Sequence, residues 1–496
     1  MKRLLLFCLA AAVVPHQTAL AFTQSSGIAA DTWTRNMEAR RKLDAACRTG
    51  EAQAAIAACT RMIGDVYNDA RVKAISYNNR GVARLTLGDA NGAVEDFTTA
   101  LRIDPHDPAS QPDQKAAIDA DLYLHRGLVY ASLGEAAKAQ DDYSQAIRLN
   151  PRLTDAYRDR AAAYANAGDA EHALADYSAA IRTDPDNAAA YRSRGETYAN
   201  TGRYPLALAD YDLAIQHDPQ DPVALDDRSR AFKALGELTR AAADEAQALK
   251  LDPDLASGRL NMGEVYSATG QTQAAIAEYD AALKADPKYA RALAARADAY
   301  AASGARDKAI ADYDAALKLD PKLVPALNNR GLAHLGLGQY GPAIADFTEA
   351  LKLDPRLASV LGNRARAYGL SGDTAHAIAD LSAQIALSPD DAKAFGERAL
   401  AYHRLHDDAR ALADLGEAIR LAPGDASTLR TRGLIYYALR DNRHAIADFT
   451  DAIRLDPAAA KLFRDRSLAY AALGDDRRAV ADDKRAEALM GRDGGR

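Results

Sequence analysis

The sequence predicts an all-α solenoid of about twelve helix-turn-helix units, and three observations carry that reading. Prolines at 151, 185, 219, 253, 287, 321, 355, 389, 423 and 457 fall at an unbroken interval of 34 residues. Alanine is abundant, only 6% of residues are aromatic, and 23 of the aromatics are Tyr. Small and aromatic residues recur at fixed places between the prolines, so each interval is one supersecondary piece used again. A chain of 496 residues also exceeds what one hydrophobic core organises, near roughly 250–300 residues. Stacked repeats escape that limit because each packs only on its neighbours.

From the N-terminus, Lys2 and Arg3 form a basic start, and Leu4 to Val14 is an apolar run too short to remain in a bilayer. Ala19-Leu20-Ala21 fits a small-x-small cleavage site, so residues 1–21 read as a signal peptide cut before Phe22. The expected protein is exported, periplasmic in a Gram-negative cell or secreted. No later segment reaches ~18 consecutive apolar residues, so no membrane span is expected. Cleavage leaves 60 basic against 69 acidic residues, a net charge of −9. That balance excludes a broad basic surface and makes nucleic acid a poor partner. Cys47 and Cys59 remain. In an oxidising compartment a solitary pair is a disulfide candidate, with two small buried thiols as the alternative. Helical register puts the two about one turn out of level.

Residues 22–73 form an N-terminal segment whose 31–63 stretch reads as a capping helical hairpin. The first full unit is 74–107. An insertion, 108–119, follows, in which Pro108 and Pro112 mark a loop and Asp113 is positioned to N-cap a lengthened helix. Units two to eleven occupy 120–459, a capping unit 460–493, and a tail 494–496, with disorder expected from Gly491. In 188–221 the first helix ends at Gly202, as a C′ glycine ends one. The second ends at Asp218-Pro219, because proline cannot continue a helix. Gly195, Ala207 and Ala214 stand where the helices cross, and Tyr191, Tyr198 and Tyr211 fill the gaps between them.

These slots, with Gly127, Tyr130, Ala139, Tyr143 and Ala146 before Pro151 and Gly331, Ala343, Phe347 and Ala350 before Pro355, resemble the tetratricopeptide repeat. The resemblance implies antiparallel helix pairs stacked in a right-handed superhelix with a concave groove. One slot departs from the family: Arg replaces the leucine before the small residue in eleven units, from Arg80 to Arg466, with Met262 the exception. Sixteen residues later stands an acid in all twelve, Asp in eleven and Glu278 in the Met262 unit. This covariation predicts an Arg–Asp bridge between the two helices of each unit.

No catalytic constellation emerges, and neither an enzyme nor a cofactor is expected. There is no G-x-S-x-G, no P-loop and no H-E-x-x-H. His403 and His406 are two ligands at most, and a metal site usually takes three or four. The carboxylates Asp226 and Asp227 read as solvated faces or caps. In the family, ligands mostly contact the first helices. Transferred slot by slot, the resemblance implies a groove lined by Arg158, Arg192, Arg230, Asn329, Asn363, Arg366, Leu400, His403, Leu434 and Tyr437. Neighbouring slots hold Asn328 and Arg430. Asn329 and Asn363 occupy equivalent slots and read either as a ladder for an extended peptide or as solvated amides. Tyr437 with Leu434 and Leu400 reads as an apolar hot spot. The expected function is a monomeric, non-catalytic scaffold binding a peptide or partner-protein segment. The alternatives are an accessory subunit of an envelope assembly or secretion complex, and a carbohydrate or peptidoglycan binder.

Overall fold

The computed structural model describes residues 27–103 and 112–493. Among these the chain forms 26 α-helices and no strand. It divides after Pro253 into two compact parts. The N-terminal part holds the hairpin α1 (Gly27–Thr49) and α2 (Ala52–Gly64), then repeat 1, made of α3 (Ala70–Thr86) and α4 (Ala90–Arg102). Repeat 2 opens with α5 (Pro112–Ser132), and repeats 3 to 5 follow. The C-terminal part holds repeats 6 to 12. Within each repeat a first helix, commonly of 13 residues, lies against a second of about 14.

The signal segment, residues 104–107 of repeat 1, residues 108–111 of the insertion and the tail 494–496 lie outside the described residues. The insertion lengthens the following helix as expected, α5 having 21 residues. The start differs: helix begins at Pro112, so Asp113 stands inside the first turn and is not its N-cap. Proline is tolerated there because first-turn amides have no intrahelical acceptor. The last helix runs through Asp493, so the order lost from Gly491 in the sequence reading is not seen up to that residue.

Ten of the turns between first and second helices place a glycine at φ +74° to +91°. Repeats 10 and 11 put His406 and Arg440 in that slot, at φ 60° and 63°. A left-handed conformation costs an L-residue roughly 1–2 kcal/mol. His406→Gly and Arg440→Gly should therefore each raise stability by about 1 kcal/mol, read as a higher urea midpoint. An unchanged midpoint would show that neighbouring contacts already offset the strain.

The second helices start on a recurring cap. Asp169, Asp373 and Asp441 accept the backbone N–H of His172, His376 and His444 at 3.2–3.3 Å, and the imidazole Nδ1 at 2.6–2.7 Å. Each ring stacks on a tyrosine of the first helix, Tyr164, Tyr368 or Tyr436, at 5.0–5.2 Å. Accepting these bonds holds the three carboxyls below the usual aspartate range.

The helices cross where a glycine meets a ring. A Cβ on Gly81, Gly127, Gly195, Gly263, Gly331 or Gly433 would come within 2.4–2.8 Å of the Phe or Tyr sixteen residues on. Where that slot is Ala365, Ala399, Ser229 or Ser467, the facing residue is Leu381, Leu415, Glu245 or Asp483 instead of a ring. The two positions share one volume, with Ala161–Tyr177 and Ala297–Tyr313 as tighter cases. Gly331→Ala should cost about 1–3 kcal/mol by overpacking against Phe347. Adding Phe347→Leu should return part of that loss in a thermal melt, and a double variant as unstable as the sum would refute the shared volume. Gln384, in an alanine slot, is accommodated in the same way: a Cβ on Gly362 would lie 2.8 Å from its Oε1.

The expected Arg–Asp bridges are present in all eleven repeats that carry the pair. Nε donates to one carboxylate oxygen at 2.7–3.0 Å and Nη2 to the other at 2.6–2.9 Å, from Arg80–Asp96 to Arg466–Asp482. In the Met262 repeat, Glu278 accepts from Arg259 instead, at 2.9 Å. The arginine occupies a leucine slot because flanking rings cover it: Arg126 lies over Tyr123 and Tyr130, and Arg466 over Phe463 and Tyr470, at 5.4–5.8 Å. Nη1 reaches further, to a side chain sixteen residues earlier on the preceding second helix, such as Ser144 for Arg160 and Asp314 for Arg330. Arg432 has no such bond recorded, and the residue at that slot is Gly416. One guanidinium thus ties three helices of two repeats together.

Candidate partner-binding face

Residues at positions 2, 5, 9 and 12 of a first helix lie on one face, because steps of three and four residues return to the same side. Successive first helices are joined along this face by contacts between position 5 of one repeat and position 6 of the next. Asn363 Nδ2 donates to Asn328 Oδ1 at 2.9 Å, and Arg430 Nε to Asp465 at 2.5 Å. Arg192 lies 3.5 Å from Asp227, and His125 Nδ1 lies 3.0 Å from the Asn78 amide oxygen.

Several residues expected to meet a ligand are therefore occupied by the protein itself. Arg158 is held by Asp155 at 2.8 Å and Asp159 at 3.1 Å. Burial pushes the Asp159 carboxyl up, and Arg158 opposes that shift. Arg192 sits between Asp221 and Asp227, while Arg230 binds Asp227 closely and approaches Asp226 at 3.9 Å. Asp226 and Asp227 are consequently 3% and 4% exposed, not the solvated face the sequence suggested. Two carboxylates enter a helix interface here because three arginine contacts compensate them.

The asparagines are hydrogen-bonded within the protein. Asn328 Nδ2 donates to Asn329 at 3.0 Å, and Asn329 Nδ2 donates to Asp298 at 2.8 Å. The Tyr313 hydroxyl donates to the same Asp298 oxygen. Asn329 and Asn363 are thus links in a chain spanning repeats 7 to 9, and each spends an amide proton inside it. Asp298, which anchors the chain, was not among the expected site residues.

Further along, the character changes. Leu400 is 43% exposed, and its equivalent in repeat 12, Leu468, is 50% exposed. Leu434 between them is half-buried beside Phe449, and Tyr437 packs into the same cluster, so the aromatic is not the open anchor expected. His403 is held through Nδ1 by Asp408, which fixes the ring and removes it from any pairing with His406. Arg366 is exposed, and no carboxylate lies within ion-pair distance of it among the described residues. Leu468 was missed because repeat 12 was taken as a cap. The signal that finds it is the slot itself, with leucine at 400, 434 and 468.

Cys47 and Cys59 lie far from this face in sequence, in the hairpin α1–α2. They are joined by a disulfide with Cα atoms 4.8 Å apart, inside the range a disulfide spans. The register argument misplaced them by a turn. Among the described residues no group of three or more His, Cys, Asp or Glu is placed to hold a metal ion. No helix there is long and apolar enough to cross a membrane.

Comparison with known proteins agrees with the repeat geometry. Tetratricopeptide repeat models match residues 74–107, 120–153, 256–289 and 431–458, as well as 158–222 and 324–357. A further TPR repeat model matches 297–338, and together the matches span a little over half the chain. No curated protein matches it. Among solved structures, a tetratricopeptide repeat protein from Parabacteroides merdae is 25% identical, over 50% of this chain and 99% of its own, with a TM-score of 0.37. The APC/C hetero-tetramer Cut9–Hcn1 aligns over 90% of this chain and 99% of its own at 15% identity and a TM-score of 0.41. YrrB, described as a TPR protein with an unusual peptide-binding site, is 20% identical over 38% of this chain and 98% of its own, with a TM-score of 0.36. These likenesses concern the fold alone. With the 34-residue period, the glycine turns and the matched models in agreement, this chain belongs to the tetratricopeptide repeat family.

Proposed function

We propose that this protein is a non-catalytic interaction scaffold that binds a segment of a partner protein along the exposed face of its first helices. One observation carries the reading. On the first-helix face of the C-terminal repeats, Leu400 and Leu468 stay half-exposed and Arg366 stays uncompensated, whereas Arg158, Arg192 and Arg230 on the same face of earlier repeats are held by aspartates. Leaving leucine and a bare guanidinium in water gains the fold nothing, and both are residues that partners bury at interfaces. Cross-linking with mass spectrometry in intact cells tests the reading. Cross-links from the first helices to a partner are expected, and cross-links confined to the second helices would refute it.

The compartment belongs to the same proposal. The basic and apolar start, the Ala19-Leu20-Ala21 site and the Cys47–Cys59 bridge favour export to an oxidising periplasm or beyond. N-terminal sequencing of the protein from its native cell should begin at Phe22, and a chain retaining Met1 would refute processing.

A further inference from the structure

The exposed face of repeats 9 to 12 carries a charge pattern that the earlier repeats do not. Counted from the start of each 34-residue unit, positions 2, 5, 9, 12 and 13 there hold Arg366, Lys393, Arg404, Arg430, Lys461 and Arg464, and no acid. Lys393 is paired with Glu397 at 3.7 Å and Arg430 with Asp465 at 2.5 Å, both acids lying at position 6. Arg404 reaches only the Gly369 carbonyl, at 3.5 Å. Arg366, Lys461 and Arg464 are exposed with no carboxylate in ion-pair range among the described residues. In repeats 3 and 4, by contrast, the arginines at position 5, Arg158 and Arg192, are each met by aspartates. A cluster of uncompensated cations on a chain of net charge −7 selects for negative charge.

Leu400, Leu434 and Leu468 run through the middle of that positive face at one position in three successive repeats. Neighbouring first helices are joined side chain to side chain, as by Asn328–Asn363 and Arg430–Asp465, and helices packed side by side lie roughly 8–10 Å apart, the scale on which equivalent leucines recur. A helix laid across them repeats its own side chains every seven residues, about 10.5 Å along its axis. A β-strand does not match, because its same-face residues recur near 6.6 or 13.2 Å, as multiples of about 3.3 Å. Room exists for close approach: Gly396 stands where the next two repeats hold Arg430 and Arg464, and a Cβ there would meet nothing within 4 Å.

We propose that the first helices of repeats 9 to 12 bind an acidic amphipathic helix of a partner protein, its apolar heptad face on Leu400, Leu434 and Leu468 and its carboxylates on the flanking cations. This rests on the scaffold reading above and names the chemistry of its partner. The apolar stripe supplies affinity, and the cations select and orient the ligand.

The test uses the full processed chain and a fluorescein-labelled three-heptad peptide with Leu on one face and Glu on both flanks, followed by anisotropy. Micromolar binding is expected, weakened about tenfold by Leu468→Asp and by the double change Arg366→Glu and Arg464→Glu. Both sites are exposed, and far-UV circular dichroism should confirm intact helices in each variant. A peptide with Lys in place of every Glu should not bind. Equal binding of the Lys peptide, or no binding of the Glu peptide, overturns the proposal. So does full binding after a central proline is placed in the peptide, since a polyproline II segment with a three-residue turn of about 9.3 Å would then be the occupant. Failure here leaves the scaffold reading standing if cellular cross-links still map to the first helices. Failure of the cross-links removes both.

Discussion

Replacing Asp346 by alanine should destabilise the C-terminal part by about 3 kcal/mol. Arg330 places two parallel N–H bonds on this carboxylate, at 3.0 and 2.6 Å, and the pair is largely shielded, with side chains 21% and 7% exposed. Without Asp346 the guanidinium stays in a half-buried slot, and only Asp314 on the preceding repeat remains, at 2.6 Å. Breaking a fully buried pair costs roughly 3–5 kcal/mol, and the partial exposure of Arg330 places this case at the low end. Two further variants separate the pair from its members. Arg330→Leu with Asp346→Leu removes both charges and restores the leucine usual in the family, so stability should return to within about 1 kcal/mol of the starting protein. Arg330→Asp with Asp346→Arg should recover part of the loss. Because repeats unfold by nearest-neighbour coupling, hydrogen exchange in 324–353 is the sharper readout than a global melt. Strictly additive losses in both double variants would sink the pairing as an energetic unit.

Reducing the Cys47–Cys59 bridge should loosen the N-terminal hairpin by about 3 kcal/mol, the loop-closure value for a separation of 12 residues. Among the described residues the hairpin packs on a neighbour on one side only, repeat 1. Its core is small, with Met62 and Ala58 beside the sulfurs and Leu43 and Val72 packed around them. Cys47→Ser with Cys59→Ser should speed hydrogen exchange in α2 while exchange in the remaining repeats changes little. Unchanged exchange in α2 would mean that packing, not the crosslink, secures the hairpin.

The fold was legible because its punctuation is strict. Proline at the end of most second helices and glycine in the intervening turn expose the period, and covariation of Met262 with Glu278 exposes the Arg–Asp bridge. The binding face was far less legible, for a geometric reason. Comparing slots at a period of 34 aligns like with like, whereas contacts between neighbouring first helices join residues 35 apart, such as Asn328 with Asn363 and Arg430 with Asp465. A residue that looks free within its own unit is satisfied by the next one. The same offset made Asp227 look solvated, since Arg192 reaches it from 35 residues earlier, and Asp298 was hidden in a similar way by Asn329 of the next repeat, 31 residues on. Leu400 and Arg366 could be found from the sequence because an exposed leucine or cation needs no partner to be recognised.

The third arm of the clasp arginine bears on how such a chain can grow. Its own acid lies 16 residues ahead and its acceptor on the previous repeat 16 behind, as Arg160 shows with Asp176 and Ser144. A gene duplication of one whole 34-residue module therefore arrives carrying both the acid for its own arginine and the acceptor for the next. No guanidinium is stranded on either side of the new copy. Partial insertions are survivable only where they leave this spacing reachable. The lengthened connection before repeat 2 is such a place: Arg126 still meets Thr98 at 3.1 Å across 28 residues. Modular elongation is thus written into the side chains as well as the backbone, and copy number can change by units without breaking the clasp.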